Sequence, residues 1–263
     1  MSGPDTFAFM QVDAFTDRAL GGNPCAVVFD ADGLDDAMRQ RIAQEMNLSE
    51  TAFVQGAQSA DAGARYFTPD QEIPLAGHPT IATVFALFES GRLALEGPVT
   101  RISLELKVGP IDVDVFARDG RVQHIVMSQM PPQFLESYDA RDVLPAFGLS
   151  ADDLLPGTVP QTVSTGTPQL MIAVKDHGAL RRVRMDFDAY AALHGAGDFF
   201  SPHVFALGGV TEAGATFARH VGALPGGAED PFTGSATGGM AAYLWRYALI
   251  DTPTFTAEQG HWM

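Results

Sequence analysis

The stretch that most restricts the fold is one that occurs twice. Residues 72–80 read EIPLAGHPT and residues 229–237 read EDPFTGSAT, so Glu, Pro, Gly and Thr recur at a constant offset of 157 (229 − 72 and 234 − 77). Each copy runs into an apolar stretch, IATVFALF after the first and GGMAAYLW after the second. A second pair, GNPCAVVFDADGL from Gly22 and GTPQLMIAVKDHGAL from Gly166, keeps the same order at an offset of 144. Two ordered matches with like flanks describe one unit used twice, mainly antiparallel strands around a long central helix.

The intervening sequence fits that plan. FAFMQVDAF and PCAVVFD are short β-branched and aromatic runs separated by the turn DRALGGN, the pattern of paired strands. DGLDDAMRQRIAQEM spaces Leu34, Met38, Ile42 and Met46 four apart behind an acidic first turn, which predicts an amphipathic helix. ETAFVQG and ARYFTP read as strands, HPTIATVFALFESG as a mostly buried helix ending at Gly91, and ISLELKVGPIDVDVFARDGRVQHIVM as a meander turning at VGP and RDG. The Pro- and acid-rich MPPQFLESYDARDVLPAFGLSADDLLPG marks the crossing to the second unit, so lobes are expected at 1–128 and 129–263. A chain of 263 residues is long enough for both cores.

Charge narrows the function. With 16 basic against 32 acidic residues the formal net charge is −16, which argues against nucleic acid or an anionic membrane as partner. No apolar run reaches the ~20 residues of a membrane span, and MSGPDTFAFMQVDAF has neither the basic nor the apolar region of a signal peptide. A cytoplasmic location is expected. The single cysteine, Cys25, rules out an intrachain disulfide and sits in CAVVF, where a buried, inert thiol is expected.

Gly77 and Gly234 each sit where a tight turn opens a helix. The first N–H groups of a helix lack intrahelical partners and carry roughly half a positive charge, so such an end takes an anion without an arginine. A small carboxylate is therefore the expected ligand; the plainer role for either glycine is as a cap. His78 and Ser235 occupy the same place in the two copies. Serine there is otherwise an ordinary N-cap, whereas histidine caps poorly and asks for a polar partner. Asp230 is placed to hold an imidazole or a substrate amine, or else serves the turn before Pro231. Glu50, in NLSETAFVQ, falls where a helix ends and an apolar strand begins. Partial desolvation there would raise its pKa toward the range useful for proton transfer, unless it is a solvated loop acid. The second half offers FFSPHVFAL, with Pro202 roughly opposite Glu50, so only one lobe carries the acid.

Dinucleotide, Walker and nucleophile-elbow signatures are missing, and the seven histidines show no metal-ligand spacing. Taken together, QVDAFTDRALGGNPCAVVF, IAQEMNLSETAFV, RYFTPDQEIPLAGHPTIAT and AEDPFTGSATGGMAAYL closely resemble the phenazine-biosynthesis PhzF-like isomerases over nearly the whole chain. The resemblance implies a diaminopimelate-epimerase-like fold: two lobes, each a barrel-like sheet around a central helix, with the active site between them. It implies an enzyme without cofactor or metal, commonly a homodimer, whose type member isomerises trans-2,3-dihydro-3-hydroxyanthranilate by proton transfer. Carried over, the family's essential acid falls on Glu50, its histidine on His78 and its aspartate on Asp230. Its substrate-binding positions fall on Gly77, Gly234 and Ser235. Related epimerases and racemases use two opposed cysteines ahead of these helices; here the places hold Ala76 and Thr233, which removes two-thiol inversion. Proteins of this kind usually continue a few residues past the terminal EQGHWM.

Overall fold

A computed structural model describes residues 6–222 and 229–263. The chain divides into two units with the boundary between Ser128 and Gln129. In the first, β1 (Phe9–Ala14), β2 (Asn23–Val28), β3 (after helix α1, Asp36–Met46; Glu50–Gln55) and β4 (Ala62–Phe67) are followed by the short β5 (Glu72–Ile73) and helix α2 (Gly77–Glu89). The meander β6 (Val99–Leu106), β7 (Gly109–Arg118) and β8 (Arg121–Met127) completes the sheet, in the order β1-β2-β3-β4-β6-β7-β8 with β5 on β4. Helix α2 packs against β1, β2 and β3 and also against β8, so the sheet curls round it. Side chains alternate accordingly: Cys25, Val27, Ala52, Val54 and Tyr66 face α2, whereas Val28, Phe53 and Phe67 face α1. Ten of the thirteen α2 residues are buried. Asp119 and Gly120, with φ of 52° and 72°, form the predicted RDG turn between β7 and β8.

The second unit holds β9 (Gln133–Ser137), α3 (Ala140–Val143), β10 (Gln161–Ser164), β11 (Pro168–Ala173), α4 (His177–Arg182), α5 (Phe187–Ala196), β12 (Ser201–Leu207), β13 (Gly214–His220), α6 (Gly234–Arg246) and β14 (Thr256–Gln259). Its sheet runs β9 to β14 in chain order. Met240, Tyr243 and Leu244 of α6 share a core with Val163, Met171, Phe205 and Ala218 on the inner sheet face. The outer face is covered by residues 143–149 together with Leu180 and Val183.

The duplication is real at the level of strand direction. From β1 through β4 to β6 the pairings run antiparallel, parallel, antiparallel, parallel; β10 to β14 repeat that order. Both central helices start at the paired glycine and both are thirteen residues long. In each, the threonine three residues on returns its hydroxyl to the carbonyl ahead of the helix: Thr80 to Ala76 at 2.7 Å and Thr237 to Thr233 at 2.9 Å. The segment before each helix is clasped by the same atoms of the same residue types. Arg65 Nε donates to Glu72 Oε1 at 2.8 Å, and Arg219 Nε donates to Glu229 Oε1.

Helix α1 forms as expected, and Leu34, Ile42 and Met46 of its stripe are half-buried, but the most buried positions lie beside that stripe. Its buried residues are Arg39 and Ala43, with Ile42 half-buried, while Met38 is 40 % exposed and Leu34 precedes the helix. The rotation follows from a hydrogen bond: Arg39 Nη2 donates to the Ala31 carbonyl at 2.9 Å and takes its aliphatic stem inward.

Candidate active site

Local sequence sets Glu50 at the first position of its strand. Asn47 closes α1 in the left-handed region, with φ of 50° and its N–H on the Ala43 carbonyl at 3.1 Å. Asparagine tolerates that conformation better than most residues. Three residues later β3 begins, and its parallel pairing with β2 puts Glu50 opposite Cys25. Glu50 has the same parity as Ala52 and Val54, so it faces α2. Its side chain is 17 % exposed and its Oε2 lies 3.3 Å from His78 Nε2. That contact falls short of hydrogen-bond geometry.

His78 is the second residue of α2 and is 4 % exposed. On its far side Nδ1 sits 3.2 Å from Asn23 Nδ2. Burial lowers the imidazole pKa from its ordinary value to about 3, opposed only by a hydrogen bond to the Pro24 carbonyl. His78 is thus neutral at physiological pH, and Glu50 does not face an imidazolium. Cys25, fully buried, has its thiol pushed up by burial and then by the Glu50 charge, so it is inert as expected.

In the second unit Asp230 pairs with the end of β13, its N–H on the His220 carbonyl at 3.0 Å. Thr233 Oγ1 donates to Asp230 Oδ2 at 2.5 Å. Gln259 of β14 braces the same loop: Nε2 donates to the Asp230 carbonyl at 2.7 Å and Oε1 accepts from Thr233 N at 3.2 Å. Gln129 Nε2 donates to the Gly234 carbonyl at 3.1 Å. Ser235 is the second residue of α6, as His78 is of α2. The residues flanking the helices are Ala76 and Thr233, so Ser235 is not an N-cap.

The ends of the central helices differ from the rest. Helices α1, α3, α4 and α5 are each capped by an aspartate side chain, Asp35, Asp139, Asp176 and Asp186. Neither α2 nor α6 has a side-chain cap; Ala76 has nothing to offer and Thr233 spends its hydroxyl on Asp230. At neither helix does the N-cap side chain take up a first-turn N–H group.

The structure therefore joins Glu50 with His78, and Asp230 with the start of α6. It also adds Asn23, which carries no local signal of its own although GNP belongs to the motif. One correction concerns the counterpart of Glu50. Gln169, the match of Cys25 at the offset of 144, pairs with Ser201. The position opposite Glu50 is thus Ser201, one residue before Pro202. Ser201 belongs to a buried chain: Oγ donates to Gln169 Oε1 at 2.6 Å and contacts His220 Nε2 at 2.9 Å, and His220 Nδ1 lies 3.2 Å from His203 Nδ1.

Curled sheets around twin uncapped helices, with an acid beside one of them, define the class of the isomerases and epimerases that share the diaminopimelate-epimerase-like fold. The family model for phenazine biosynthesis-like proteins matches residues 12–263. A trans-2,3-dihydro-3-hydroxyanthranilate isomerase from Pseudomonas aeruginosa is 33 % identical over 92 % of this chain and 81 % of its own length. An uncharacterised isomerase from Bacillus subtilis is 32 % identical over 95 % and 85 %. A PhzF-family crystal structure from Bacillus anthracis superposes with a TM-score of 0.81 at 32 % identity, covering 93 % of this chain and 81 % of that one. The chain belongs to the phenazine biosynthesis-like, or PhzF, family and is an isomerase of that family. Among the described residues no helix is long and apolar enough to cross a membrane, and no three His, Cys, Asp or Glu side chains are grouped to hold a metal ion.

Proposed function

We propose that this chain isomerises a small, cyclic, carboxylate-bearing substrate by moving one proton, with Glu50 as general acid and base and without a cofactor. The observation that carries the reading is Glu50 set 3.3 Å from a neutral imidazole beside the uncapped start of α2. A carboxylate beside an imidazolium would be held ionised and weakly basic; beside neutral His78 it keeps its affinity for a proton. Glu50 takes the proton from a carbon activated by the substrate's π-system and returns it at the other end of that system. The N–H groups of Gly77 and His78 take the substrate carboxylate, and His78 steadies Glu50 as its charge changes. Gly234, Ser235 and Asp230 are assigned to the remaining polar groups of the substrate. A positioned acid–base group contributes ~10²–10⁴-fold, and orientation and the helix-end field supply the rest.

Ala76 and Thr233 at the two N-caps support a single-acid route over inversion between two thiols. The P. aeruginosa relative is named for trans-2,3-dihydro-3-hydroxyanthranilate, which makes that compound the first substrate to test, ahead of other small cyclic carboxylates. In D₂O the product is expected to gain one deuterium at the new carbon–hydrogen bond. The near-isosteric Glu50→Gln should lose ~10²–10⁴-fold in turnover with the fold unchanged. Wild-type turnover by Glu50→Gln, or solvent-independent product, rejects the assignment.

A further inference from the structure

A neutral imidazole between two polar neighbours has to choose which nitrogen carries its proton. For His78 the choice decides what Glu50 meets. With the proton on Nε2, the ring offers a donor to the carboxylate 3.3 Å away and Nδ1 becomes an acceptor. With the proton on Nδ1, a lone pair points at Glu50, a contact that suits only the protonated acid. Asn23 Nδ2, 3.2 Å from Nδ1, is a donor and nothing else. Asn23 is fully buried at the start of β2, where its register partner is Ala14. The residue before it is fixed as well: a Cβ on Gly22 would lie 2.2 Å from the Ala14 carbonyl oxygen. The amide therefore has little freedom to withdraw. The competing acceptor for a ring proton is the Pro24 carbonyl.

We propose that Asn23 is a positioning residue that donates to His78 Nδ1, holds the ring as its Nε2–H tautomer and so keeps Glu50 in its proton-accepting form. Glu50 then takes the substrate proton on Oε1, while Oε2 goes on accepting from Nε2–H. The ring keeps one tautomer throughout the proton's transfer and return. Asn23 touches no reacting atom. The proposal rests on the role given to Glu50 above, but its test does not depend on turnover.

The experiment is ¹⁵N–¹H multiple-bond correlation of the His78 ring in the full chain at pH 7. Wild-type protein should show Nδ1 unprotonated and Nε2 bearing hydrogen. In Asn23→Ala the ratio of the two tautomers should shift roughly tenfold toward Nδ1–H, the worth of one neutral hydrogen bond. Asn23→Asp, nearly isosteric and therefore the safer variant for folding, places an acceptor at Nδ1 and should protonate that nitrogen. Both variants should lose kcat more than they raise KM. Nδ1–H in the wild type, or an unprotonated Nδ1 in both variants, overturns the proposal. If the tautomer shifts as described while Glu50→Gln keeps wild-type turnover, the acid–base reading fails and the assignment of Asn23 stands.

Discussion

The two units answer one architectural problem with opposite interiors. Helix α2 is buried nearly all round, and at its mouth stand Glu50, His78 and Asn23, all linked. Helix α6 buries five of its thirteen residues, and the place of Glu50 is taken by Ser201, hydrogen bonded into a neutral, fully buried histidine pair. The strand pair Ala52–Tyr66 of the first unit corresponds to His203–His220 of the second. One copy thus keeps its ionisable side chain partly exposed. The other seals its titratable groups away. Duplication of a backbone does not duplicate reactivity; that is settled by which inward positions remain open.

Exchanging residues between the copies tests this. The largest effect is expected for Glu50→Ser, which gives the first unit the second unit's residue. Turnover should fall by ~10²–10⁴ while the melting temperature is unchanged or raised, because a half-buried acid beside a neutral ring is a cost borne for function. A retained rate would show that the asymmetry has no catalytic meaning.

Next comes the double variant His203→Ala/His220→Tyr, which installs the first unit's pair. In the folded chain burial lowers His78 and His220 to about 3 and His203 well below its ordinary value. Unfolded histidine titrates near 6.5. Below that pH the unfolded chain binds protons that the folded chain refuses, so stability falls as pH drops from about 6.5 toward 3. The slope approaches about 1.4 kcal/mol per pH unit for each histidine. Urea unfolding between about pH 6.5 and 5.5, above most of the carboxylate range, should show the slope reduced by roughly two-thirds in the variant. An unchanged slope would mean that the pair is hydrated or charged in the native state. The smallest effect belongs to Thr233→Ala, which copies Ala76. Loss of the hydroxyl on Asp230 should raise KM about tenfold with kcat little altered, measured on whichever substrate turns over.

Much of this was legible in the chain. Both helix starts followed from the repeated glycine and the apolar run behind it, because such a signal is local and occurs twice. Glu50 was legible for a similar reason: NLSE marks a helix stop followed at once by a strand. Asn23 was not, since its contact with His78 spans 55 residues and arises only when β2 lies beneath the first turn of α2. The histidine pair was hidden for the same kind of reason, as His203 and His220 are neighbours only through the β12–β13 register. The stripe predicted for α1 held in part, with Leu34, Ile42 and Met46 half-buried; periodicity treats Arg39 as polar and cannot foresee that a carbonyl at Ala31 draws it inward.

The arginine–glutamate clasp ahead of each helix has a consequence for how such a protein can change. Arg65 with Glu72, and Arg219 with Glu229, clasp the segments ahead of the helices, using side chains other than Glu50, His78 and Asp230. The backbone of each socket is secured independently of what fills it. New chemistry in a descendant then requires only a few exchanged side chains at the rim, and evolution can try them one at a time without first rebuilding the frame.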